Sequence, residues 1–138
     1  MKLRAFIWII SLLIITVFPT CLYAQLRGGN WEVIANGFRG TLNISVDPQG
    51  NVTGTIFGDS IEGFFDQVSN KIIFVRTFGD DPLDIQVYTG YLWTTGATFC
   101  TGGDIRNQMA GSFEAFASSG ATPGRNVFGW TAILCLIL

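Results

Sequence analysis

The chain contains no histidine. That absence removes the imidazole general base, every Ser-His-Asp or Cys-His catalytic set and any histidine-ligated metal site. Basic residues are few, 8 in 138 against 10 acids, and they form no cluster. An acidic balance of this kind excludes nucleic acid and anionic membrane surfaces as expected partners. The apolar run at residues 5–18, broken only by Ser11 and Thr16, is shorter than the ~20 residues a membrane-spanning helix needs. No motif calls for a metal or a cofactor. There is also no length to spare for parallel crossovers, which need a dozen or more residues between strands.

What is present begins with an export signal. Met1-Lys2-Leu3-Arg4 is a short basic start, residues 5–18 are the apolar stretch, and Leu22-Tyr23-Ala24 ends on a small residue. This is the layout of a secretory signal peptide. Residues 1–24 are therefore expected to be removed, leaving residues 25–138 as a single domain in a secreted or periplasmic setting. The mature chain keeps six basic residues and ten acids, a net charge of −4. It also keeps two of the three cysteines, Cys100 and Cys135, an even number suited to an oxidising compartment.

Residues 30–135 carry a strand pattern. Leu42, Ile44 and Val46 alternate with Thr41, Asn43, Ser45 and Asp47, so one face is apolar and the other wet. Asn36-Gly37 suits a two-residue hairpin, and Asp47-Pro48-Gln49-Gly50 has the preferences of a type I turn. Strands are expected at 31–35, 41–47, 51–57, 60–66, 71–78, 84–93, 105–117 and 127–135, with 118–126 a loop by composition. Eight strands with short connections point to an antiparallel up-and-down barrel, whose closure removes exposed edges. A β-sandwich is the alternative; its Greek-key connections usually run longer than these turns.

The order of short motifs resembles the calycin barrels, and within them the avidin and streptavidin family. Gly29-Asn30-Trp31 is similar to the family's Gly-x-Trp opening. Gly54-Thr55, Gly63-Phe64-Phe65-Asp66, Tyr88-Thr89-Gly90 and Gly129-Trp130-Thr131 resemble its later strands in the same order. The resemblance implies the same barrel topology and a ligand-binding role. It does not extend to the biotin site. Ile56 stands where the family has a Tyr, the segment between strands three and four is reduced to Gly58-Asp59, and Arg76 aligns with a pocket Trp.

Alternation itself supplies a candidate site. Phe74 and Arg76 share a face with Ile72, and in the next strand Asp84, Gln86, Tyr88, Gly90 and Leu92 share one. Turned inward, Arg76, Gln86 and Tyr88 converge near one mouth, with Asp84 beside them. Arg76 is always charged, so inside the barrel it requires an acid such as Asp84 or Glu32, a ligand anion or water. Alternatively the strand twists it to the rim, beside Asp80 and Asp81. Trp31, Phe65, Phe74, Met109 and Phe113 read as core. Phe64, Phe116, Phe128 and Trp130 read as an apolar outer stripe, and Phe116, Phe128 and Trp130 as a subunit interface of a homo-oligomer.

In an up-and-down barrel the loop after strand six and the finish of strand eight lie at the same end. This brings Cys100 and Cys135 within reach of a disulfide, with two buried free thiols as the alternative. The expected function is that of a secreted, non-enzymatic barrel binding a small ligand inside or at its mouth. The alternatives are an oligomeric interaction or inhibitor module with a filled barrel, and an enzyme that works without histidine.

Overall fold

A computed structural model describes residues 25–79, 84–95, 106–116 and 126–135. The expected signal peptide, Asp80, Asp81 and Cys100 lie outside the described residues, so the disulfide and the cleavage site do too. The described chain forms β1 (Gly29–Ala35), β2 (Phe38–Val46), β3 (Asn51–Ile56), β4 (Asp59–Asp66), β5 (Lys71–Thr77), β6 (Ile85–Thr95), β7 (Arg106–Phe116) and β8 (Asn126–Cys135). Each strand pairs antiparallel with the next, and β1 pairs with β8 from Glu32↔Ile133 to Ala35↔Trp130. The sheet is a closed eight-stranded up-and-down barrel, which disposes of the sandwich alternative.

Local chemistry sets the register. Asn36 and Gly37 take φ values of 49° and 81°, the left-handed pair that lets two strands reverse in two residues without splaying. The tightness of this turn starts β2 at Phe38, three residues before the alternating segment at 41–47. The next reversal is of the same kind and falls one residue before the expected Gly58-Asp59: Phe57 (φ 55°) and Gly58 (φ 95°) reverse β3 into β4. Phe57 is thus a turn residue, not the last residue of a strand. A left-handed conformation is costly for a bulky aromatic, and the ring is held by its surroundings: it fills the space above Gly40, whose missing side chain makes room for it. At the opposite end the Asp47 carboxylate accepts hydrogen bonds from the backbone N–H groups of Gln49 (2.9 Å) and Asn51 (2.8 Å), while Gly50 N–H closes the turn onto the Asp47 carbonyl.

The barrel interior is packed. Trp31, Val33, Leu42, Ile44, Val52, Ile56, Ile61, Phe65, Ile72, Phe74, Tyr88, Leu92, Met109 and Trp130 are all buried. Leu26 covers the end where the chain enters, and the Trp31 indole N–H donates to the Arg27 carbonyl (3.2 Å).

One expectation about faces is overturned. Trp130 is 2% exposed and Phe128 packs against the core, so both point inward and neither belongs to an outer interface. The cause is register. Trp130 sits opposite Gly111, which pairs with Gly90, and the indole occupies the space that a side chain at Gly90 would fill. Its N–H donates to the Thr89 carbonyl across β7 (3.1 Å). Both faces of β8 carry apolar residues, so alternation alone leaves its phase undetermined. Phe64 is exposed on the outer wall as expected, and Phe116, paired with Ile85, is half-buried.

Candidate functional site

The end of the barrel reached by the β1–β2, β3–β4 and β5–β6 connections carries the polar and aromatic groups that the core does not absorb. Its floor is a ladder of rings. Phe74, Tyr88, Phe113 and Phe128 are direct cross-strand partners on β5, β6, β7 and β8. Phe74 and Tyr88 stack at 4.8 Å and 9°, Tyr88 and Phe113 at 4.7 Å and 15°, and Phe113 and Phe128 meet at 5.2 Å and 33°. Trp130 closes the ladder from below, edge-on to Tyr88 at 5.8 Å and 75°. Strand spacing of 4.7–4.9 Å matches the spacing of stacked rings, so four inward aromatics at one level stack by construction.

Above the ladder lies Arg76, whose side chain is 16% exposed. Its Nε and Nη2 donate to Asp59 Oδ2 at 2.9 and 2.5 Å, and its Nη1 donates to Gln86 Oε1 at 3.0 Å. The guanidinium lies over the Phe57 ring at 5.2 Å and the Phe78 ring at 5.4 Å. Arg76 therefore ties the β3–β4 turn to β5, β6 and the residue after β5. The Tyr88 hydroxyl donates to the same Gln86 oxygen at 2.8 Å. Burial pushes the Tyr88 phenol above its ordinary pKa, with the Arg76 charge pulling the other way. At neutral pH the phenol is a hydrogen-bond donor, and with the rings below it the site offers polar contacts and ring surface.

Arg76, Gln86 and Tyr88 thus come together as the alternation implied. The acid that neutralises Arg76 is Asp59, in place of the expected Asp84 or Glu32. Glu32 faces outward and pairs with Arg39 at 2.9 Å, both exposed. Asp84 precedes β6, where its carbonyl accepts the Phe78 N–H (3.1 Å), and it does not line the cavity. Asp59 escaped sequence reading because it adjoins a turn whose first residue, Phe57, looks like strand.

These groups bound a cavity of about 410 Å³ that opens at the mouth, lined by Arg76, Gln86, Tyr88, Phe113 and Phe128 on one side and by Ala35, Asn36, Phe38, Arg39 and Phe57 on the other. Among the described residues no group of three or more His, Cys, Asp or Glu is placed to hold a metal ion. No family model, curated protein or solved structure matches the chain, and the reading of the site rests on its geometry.

Proposed function

We propose that this protein is a secreted, non-catalytic barrel that binds a small molecule at its mouth. The observation that carries this reading is the 410 Å³ cavity above an otherwise packed core. That volume falls in the range of small-molecule sites, roughly 300–1,000 Å³, and its mostly apolar wall with a few fixed polar groups is the composition such sites share. Native mass spectrometry of the secreted protein tests it. The wild type is expected to carry or take up a small ligand from an extract of its medium, and Ala35→Trp, which fills the mouth, to lose it. A folded wild type that retains and binds nothing overturns the reading.

Self-association is a second reading, moved to a different surface from the one the sequence suggested. Phe64 and Ile73 are direct partners on the outer wall, and Tyr91 lies diagonal to Ile73; they are 46%, 42% and 53% exposed. Three large apolar side chains side by side on a sheet face are a feature of subunit interfaces.

A further inference from the structure

We propose that the mouth takes an uncharged, planar aromatic or conjugated molecule as the next ring of the ladder, stacked on Phe128. This rests on the small-ligand reading above and specifies the class of ligand.

Two observations carry it. The first is where the ladder stops. Phe74, Tyr88, Phe113 and Phe128 fill one level across β5 to β8, and the neighbour of β8 in the closed barrel is β1. There β1 has already ended. Its last inward residue is Ala35, which pairs with Trp130, and Asn36 N–H then bonds the Gly129 carbonyl as the chain turns. No ring from β1 continues the stack, and both Ala35 and Asn36 line the cavity beside Phe128. The next strand, β2, presents Phe38, which is 72% exposed and lines the same cavity. Through Ala35, Phe38 is level with Trp130, two residues along β8 from Phe128. The stacked pairs already in the ladder sit at 4.7–4.8 Å. A flat ring stacked on Phe128 at that spacing takes the level that β1 leaves without a ring, and a saturated ring of the same carbon count is thicker.

The second observation is charge. Among the described residues Arg76 and Arg39 are the cations lining the cavity, and each is engaged by a carboxylate of its own chain, Asp59 and Glu32. Arg76 is also covered on its ring-facing sides by Phe57 and Phe78. An anion at Arg76 would have to displace Asp59 from a partly buried pair, one at the exposed Arg39 would meet Glu32 as well, and a cation would meet a guanidinium. Polar contact is left to neutral groups, with the Tyr88–Gln86 pair at the floor.

The experiment is calorimetric titration of the intact mature protein at neutral pH with three probes of one carbon skeleton: β-naphthol, β-naphthalenesulfonate and decahydro-β-naphthol. The expected order has β-naphthol about fivefold or more tighter than the saturated alcohol, the size of one ring-stacking contact, and about tenfold tighter than the sulfonate. Phe128→Leu should bring β-naphthol and its saturated analogue within about twofold of each other. Phe38→Leu, at the exposed rim, provides the same comparison if Phe128→Leu melts non-cooperatively. Preferential binding of the saturated alcohol or of the sulfonate overturns the ligand class while leaving a small-molecule site standing. Binding of none of the three, by a wild type that also carries no ligand in native mass spectrometry, overturns both. Planar preference unchanged in both leucine variants overturns the placement on Phe128.

Discussion

Tyr88 shows how one side chain joins core and site. Its ring is sandwiched between Phe74 and Phe113, and its hydroxyl is the deepest polar group of the mouth. Because burial raises its pKa, the folded protein holds the phenolic proton after the unfolded chain has released it. Stability is therefore unaffected below the unfolded value near 10 and falls as pH rises beyond it, at up to ~1.4 kcal/mol per pH unit. Tyr88→Phe keeps the stack, costs about 1 kcal/mol at neutral pH by leaving Gln86 with one fewer donor, and should flatten that alkaline fall. Denaturant melts from pH 8 to 11 check both parts; an alkaline limb identical to wild type would assign the loss to other groups. Arg76→Ala strands Asp59 and uncovers Phe57 and Phe78. With the pair partly open to water, a loss of about 2 kcal/mol is expected. Adding Asp59→Ala should cost little more, because the two changes remove one interaction.

Among the elements, β6, β7 and β8 are locked by what two positions lack. A Cβ on Gly90 would lie 2.6 Å from the Trp130 indole and 2.7 Å from the Ala110 carbonyl, and one on Gly111 would run into the Thr89 carbonyl. Gly90→Val should displace Trp130 and cost about 3 kcal/mol, the upper end of overpacking penalties. Trp130 fluorescence reports the displacement, since the same change should weaken the indole hydrogen bond to Thr89. A variant that melts like wild type, with unaltered emission, would show that the indole has room the structure does not reveal. Phe57 is the other element-level lesson. The β3–β4 turn places an aromatic in a left-handed conformation, and its ring then lies on the Arg76 guanidinium, so a turn becomes a wall of the site.

For the molecule as a whole, closure leaves β1 and β8 paired to each other, so among the described residues no barrel strand offers an open edge to a second copy. If copies meet through Phe64, Ile73 and Tyr91, Ile73→Glu should weaken the dimerisation constant about 100-fold or more by placing a carboxylate in an apolar contact, with the thermal melt of the monomer little changed. Sedimentation across a concentration series measures this. A wild type that stays monomeric at high concentration disposes of the interface. Trp130→Glu has a different expected outcome: the charge enters the core, and the variant should lose at least ~3 kcal/mol of stability and unfold instead of dissociating.

Strand number, the Asn36-Gly37 and Asp47–Gly50 turns and the closed antiparallel architecture were legible in the sequence, because period-2 alternation and turn chemistry are local properties. So was the convergence of Arg76, Gln86 and Tyr88, since alternation within β5 and β6 puts them on one side. The phase of β8 was not legible: Phe128 and Ile133 are equally apolar, and only the register that sets Trp130 against Gly111 and Gly90 sends one set inward. The partner of Arg76 was hidden for the same reason. Asp59 and Arg76 are 17 positions apart, and nothing short of the β4–β5 pairing and the Phe57-Gly58 turn brings them together. Local pattern determines which residues form strands and turns. Which side chains meet across the barrel depends on register, a property of pairs of strands that no single segment contains.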